Sequence, residues 1–142
     1  ADKRKIEHLQ TAIRRHLDRH GLHMVRVESA RDNAFPATRL DPSHAAVNFT
    51  IRAITASSGV RPALLPNLGG ALPNDVFADV LGLPTIWVPH SYPGCSQHAP
   101  NEHVPIPLVR QALGLMTGLY WDIGTASLAD LGLAGRHGRR PA

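Results

Sequence analysis

The chain has 142 residues, 43% of them hydrophobic and 18% charged, with a formal net charge of +4. That length fits one ordinary domain rather than two full-sized ones, and the composition excludes a disordered or collagen-like chain. The charge is uneven: residues 1–20 carry a net +3, residues 136–142 another +3, and the body between them −2. The basicity therefore reads as a solvated helix face and a tail, and no nucleic-acid partner is expected. No run approaches the roughly 18 apolar residues of a membrane span, so no membrane partner is expected. Ala1-Asp2-Lys3-Arg4-Lys5 has no apolar run behind it, so no signal peptide is read and a cytoplasmic setting is expected. The single cysteine, Cys95, excludes an internal disulfide and a cysteine-built zinc site.

In chain order, Ile6, Leu9, Ile13 and Leu17 recur at helical spacing, and Gly21 followed by Leu22 closes that helix. Residues 22–28 (Leu-His-Met-Val-Arg-Val-Glu) predict a strand, β-branched at 25 and 27. Residues 34–44, with prolines at 36 and 42, predict a crossover that no helix can traverse. Ser43 is positioned to cap a second helix over 44–57, with Val47, Ile51 and Ile54 on its buried side. Residues 62–66 read as a short apolar strand. After the Asn67–Pro73 turn, Asn74 opens a short helix carrying Val76, Phe77, Val80 and Leu81, and Gly82 stops it. Residues 84–88 read as a second apolar strand, buried on both faces. A loop spans Pro89–Pro105. A strong helix over 107–123 follows, with Val109, Ala112, Leu113, Met116, Leu119, Tyr120 and Ile123 on one stripe. A weak helix over 127–133 leads into the basic tail. The alternation predicts an α/β fold, yet the body supplies only about two strands where sheets usually have roughly 4–6, so the sheet reads as incomplete.

Three places carry candidate chemistry. The Pro89–Pro105 loop holds His90, His98 and His103, which are either metal ligands, with Glu102 as a supporting carboxylate, or solvated side chains. Gly69-Gly70 lies between a predicted strand and a helix start, either cradling a carboxylate with backbone N–H groups or forming a plain turn. Arg39 in the crossover is either a carboxylate clamp or an exposed charge. Cys95 lacks an evident activating partner. No helix is read as carrying histidines four residues apart, so no self-contained metal motif is expected.

Three stretches together resemble the C-terminal half of the dinuclear zinc aminohydrolases, the family of aminoacylases, carboxypeptidase G, succinyl-diaminopimelate desuccinylase and carnosine dipeptidases. They are Asn67-Leu68-Gly69-Gly70-Ala71-Leu72-Pro73-Asn74, Val80-Leu81-Gly82-Leu83-Pro84-Thr85 and His98-Ala99-Pro100-Asn101-Glu102, the last being the most specific. Ala37-Thr38-Arg39-Leu40-Asp41-Pro42 is similar to the family's return from lid to catalytic domain. The resemblance implies that residues 1–34 are the end of a ferredoxin-like lid and dimerisation domain. It makes residues 35–124 the closing part of a metallopeptidase catalytic domain of the phosphorylase/hydrolase-like α/β type, and 125–142 a tail. It further implies His98 as a ligand of one zinc of a pair (cobalt or manganese being alternatives), with Asn101 and Glu102 behind it. Gly69, Gly70, Ala71 and Arg39 would face a small peptide or N-acyl amino acid, and the protein would be a homodimer. Ala71 stands where the family often has Ser or Thr. The family's other metal ligands and its general-base Glu have no counterpart in these residues, so hydrolysis by this segment alone is not expected. The alternative is a non-catalytic α/β interaction domain that self-associates through its first helix and strand.

Overall fold

The computed structural model describes residues 8–28, 37–66, 69–70 and 72–134. They fall into two packed units, one comprising Ala1–Arg39 and Leu68–Leu83, the other Leu40–Asn67 and Pro84–Ala142.

In the first unit, helix α1 spans Leu9–Arg19. It ends as the sequence predicts. Gly21 takes a left-handed φ of 70°, the Gly21 N–H donates to the Asp18 carbonyl (3.1 Å) and the Leu22 N–H to the Leu17 carbonyl (2.9 Å). These two bonds satisfy carbonyls that the helix end leaves open. The apolar row is less sheltered than its periodicity suggests, because Leu9 and Ile13 are exposed. Ile6 lies outside the described residues.

The expected strand over 22–28 does not form. The chain turns back along α1, with the Val25 N–H on the Leu22 carbonyl (3.2 Å). Side chains of the helix then take the carbonyls a sheet neighbour would need. Arg14 donates to the carbonyls of Leu22 (3.0 Å) and Val25, and Gln10 to that of Val27 (3.1 Å). Arg14 also binds Asp18 Oδ1 at 2.7 Å, where His23 Nδ1 meets it at 3.2 Å. The hydrogen bonds from Arg14 hold the Asp18 carboxyl below its ordinary value. Because the folded carboxyl has the lower value, the contact favours the fold above the ordinary carboxylate midpoint and is lost as pH falls through the folded one. Carbon-detected carboxyl titration is expected to give Asp18 a midpoint below 3.8, and Arg14→Ala should move it upward. An unmoved midpoint would show that the guanidinium does not set it.

The short helix expected after Asn74 is a widened, π-type turn at Val76–Val80. The Leu81 N–H reaches five residues back to the Val76 carbonyl (2.9 Å). Gly82, at φ 65°, stops it as expected. Val76, Phe77, Val80 and Leu81 are exposed rather than buried.

The second unit is built on two helices, α2 (Ala45–Ser58) and α3 (Ile106–Thr125), packed on each other. The cap of α2 is His44, whose Nδ1 accepts from the Ala46 N–H (3.1 Å). Ser43 is not free for that role, since its N–H and hydroxyl both donate to Asp41 Oδ1 (2.8 and 2.7 Å). Gly59 ends α2 at φ 72°. The buried face of α2 is Ala46, Val47, Ile51, Ala53 and Ile54, and α3 adds Leu119. The two helices approach closely at Gly118, where a Cβ would lie 2.1 Å from Ser57 Oγ. Much of the apolar stripe predicted on α3 points to solvent, with Val109, Leu113, Tyr120 and Ile123 all exposed. Beyond α3, residues 127–133 make one turn closed at both ends. Ser127 Oγ donates to Asp130 Oδ2 (2.6 Å), and the Leu133 N–H donates to the Leu128 carbonyl (2.7 Å) across Gly132.

The α/β expectation is therefore corrected: among the described residues there is no strand, and the fold is helical. Residues 62–66 are irregular and largely exposed, and 84–88 are irregular and half-buried, and neither belongs to a ladder. β-structure is a property of a ladder, and isolated apolar segments without partners leave their N–H and C=O groups outside any sheet. The ferredoxin-like and hydrolase-like sheets implied by the resemblance are absent from these residues for the same reason.

Candidate functional site

The Pro89–Pro105 loop is not irregular throughout. Pro93–Cys95 forms one tight helical turn, closed by the Cys95 N–H on the Tyr92 carbonyl (2.9 Å). Cys95 is buried and accepts at Sγ from the Tyr92 N–H (3.4 Å). Its carbonyl accepts from the His103 N–H (3.0 Å), which ties both ends of the histidine segment together. Cys95 is thus the anchor of the loop, a role that its burial and small size suit.

Between those ends, three non-glycine residues adopt left-handed backbone: Ser96 (φ 55°), His98 (φ 61°) and Asn101 (φ 64°). Asn and His are among the residues enriched in this region, Ser is less so, and residues held in sparsely populated backbone regions cluster at functional sites. The Ala99 N–H donates to the Ser96 carbonyl (2.9 Å), and the His98 N–H to Glu102 Oε2 (3.3 Å). Glu102 therefore supports the His98 backbone, while the His98 imidazole is exposed. His103 Nδ1 lies 2.8 Å from the Asn101 carbonyl. A carbonyl only accepts, so Nδ1 carries the proton, and the neutral ring has its lone pair on Nε2. A backbone carbonyl orienting an imidazole in this way is the usual support of a metal-binding histidine. His90 is half-buried in the same loop.

The predicted site residues divide between the two units. His98, Asn101 and Glu102 share this one loop of the second unit. Arg39, Gly69 and Gly70 belong to the first and are exposed. Ala71 lies outside the described residues. A zinc pair needs two sets of about three ligands. Among the described residues no three His, Cys, Asp or Glu side chains converge, so these residues do not by themselves make such a centre.

A separate cleft of about 360 Å³ lies in the second unit, lined among others by Phe49, Arg52, Asp122 and Asp130. Hydrogen bonds from the Ser127 hydroxyl and N–H, with the nearby Arg52 charge, hold Asp130 below its ordinary value. Sequence reasoning did not single out this cleft, which only the packing of α2 on α3 creates.

One pair was missed although the spacing shows it. His16-Leu17-Asp18-Arg19-His20 places two histidines four residues apart, His16 in the last turn of α1 and His20 at its C-cap, a spacing the expectation of no such pair overlooked. Their rings lie 4.5 Å apart between centroids, tilted by 48°. Neither ring has a hydrogen-bond partner among the described residues.

No helix among the described residues is long and apolar enough to cross a membrane. No family model, no curated protein and no solved structure matches the chain.

Proposed function

We propose that the chain contributes the His98 loop to a metal-dependent hydrolase that cleaves a peptide or N-acyl amide bond of a small carboxylate-bearing substrate. His98 donates one ligand to zinc (or cobalt or manganese), and the remaining ligands come from polypeptide beyond the described residues. The reading rests on the resemblance of His98-Ala99-Pro100-Asn101-Glu102 to the family's ligand segment. The observation that carries it is the left-handed backbone at His98, held by Glu102 and presenting an exposed imidazole. Left-handed backbone at a non-glycine residue is uncommon, histidine being among the residues enriched there, and such positions recur at binding sites.

The encoding DNA upstream of the Ala1 codon supplies the first check. A continuous frame bearing a His-x-Asp-x-Val/Thr-Pro pattern is expected, and an in-frame stop directly before Ala1 overturns the reading. In the longer protein, His98→Ala should weaken metal binding at least 10–100-fold, the loss that even an outer-sphere partner's removal causes. Retained metal content and turnover in that variant would take the ligand role away from His98.

A second reading, a self-associating interaction module, is favoured by the exposed Leu9 and Ile13 on α1. Sedimentation would then report a homodimer that dissociates on Ile13→Glu.

A further inference from the structure

We infer that His16 and His20 form a two-point chelate for a divalent transition metal, with copper(II) or nickel(II) preferred over zinc. His16 lies in the last turn of α1 and His20 is the C-cap residue after it, its N–H still donating to the His16 carbonyl (3.3 Å), and this brings the two imidazoles together. The ring centroids lie 4.5 Å apart, close enough for one ion to be reached by a nitrogen of each ring. Two nitrogens with water in the other positions suit the tetragonal geometry of copper(II) and nickel(II) better than the closed four-ligand tetrahedron of structural zinc. Copper also heads the order of affinities for nitrogen donors.

The surroundings leave the pair available. Both rings are exposed, and neither nitrogen pair is spent on a hydrogen bond among the described residues. Asp18 lies on another side of the helix, held by Arg14 and His23. Arg19 Nε is drawn to the Arg15 carbonyl (3.3 Å). The site sits in the last turn of α1, where the helix dipole favours a cation. Water fills the remaining positions of the ion. This site is independent of the His98 loop, which belongs to the other unit.

The test is a copper(II) titration of the full chain at pH 7.5, read by paramagnetic resonance for nitrogen coordination and repeated with nickel(II) and zinc(II). The chain has nine histidines, so His16→Ala, His20→Ala and His98→Ala are compared. Either His16→Ala or His20→Ala is expected to weaken the tightest copper equivalent at least tenfold, and His8→Ala, added as the control, to leave it unchanged. Alanine is the best helix former, so His16→Ala does not endanger α1, and His20 is the cap residue that follows it. Equal copper affinity in the parent and the His16 and His20 variants overturns the inference. So does zinc binding tighter than copper, or loss of the tightest equivalent in His98→Ala alone.

Discussion

Ile54→Ala is expected to cost the second unit about 2–3 kcal/mol, within the range for truncating a buried isoleucine. Ile54 is 8% exposed and shares the buried face of α2 with Val47 and Ile51. Two effects add: the lost transfer of the side chain from water, and the cavity left behind. The expected loss lies at the lower end of the measured range because a two-helix layer with few buried neighbours can relax into the gap. It is still large against the ~5–15 kcal/mol that separates a native domain from its unfolded state. Urea unfolding followed by helical ellipticity measures it. Leu113→Ala on the exposed side of α3, at 64% exposure, should change stability by no more than ~0.5 kcal/mol. Equal effects at the two positions would show that Ile54 is not held in a packed layer.

Gly118→Val should destabilise the α2–α3 contact by about 1–3 kcal/mol, the usual cost of forcing extra atoms into a filled space. A Cβ at Gly118 would stand 2.1 Å from Ser57 Oγ and 3.1 Å from Ser57 Cβ. Alanine can be met by turning the Ser57 hydroxyl away. Valine adds two further carbons and must move the helices apart. Opposing this is the gain of about 0.5–1 kcal/mol from replacing glycine in a helix interior. Gly118→Ala should therefore fall near zero, and Gly118→Ala with Ser57→Ala should exceed the parent. Gly114, four residues earlier, has nothing within 4 Å of its added Cβ. Gly114→Ala should show the helix gain alone, about 0.5–1 kcal/mol in thermal or urea unfolding. Matching responses at 114 and 118 would mean that no close approach occurs at Gly118.

The His98 loop illustrates how far the sequence reaches. Prolines at 89, 93, 100 and 105 mark a fixed loop, and the histidines mark its chemistry. Nothing in the sequence shows that Glu102 would turn inward to the His98 N–H, or that Asn101 would orient His103 through its carbonyl. Those bonds depend on left-handed turns at Ser96, His98 and Asn101, and a residue's tolerance of that region does not say where the chain uses it. The His16/His20 pair is the opposite case: its spacing is plain in the sequence.

What the sequence determined by itself is local. Helical periodicity located α2 and α3 to within two residues, and Gly21 and Gly82 marked where helical segments stop, because the energies involved act within one or two turns of chain. What only the tertiary structure decided is pairing. Residues 22–28, 62–66 and 84–88 have the composition of strands, but a strand exists only when a second segment accepts its hydrogen bonds. Arg14 and Gln10 take the carbonyls of the first, and no ladder reaches the other two. Which side of α3 is buried was decided the same way, by the contact of Gly118 and Leu119 with α2, since an apolar stripe shows that a face can be covered and not what covers it.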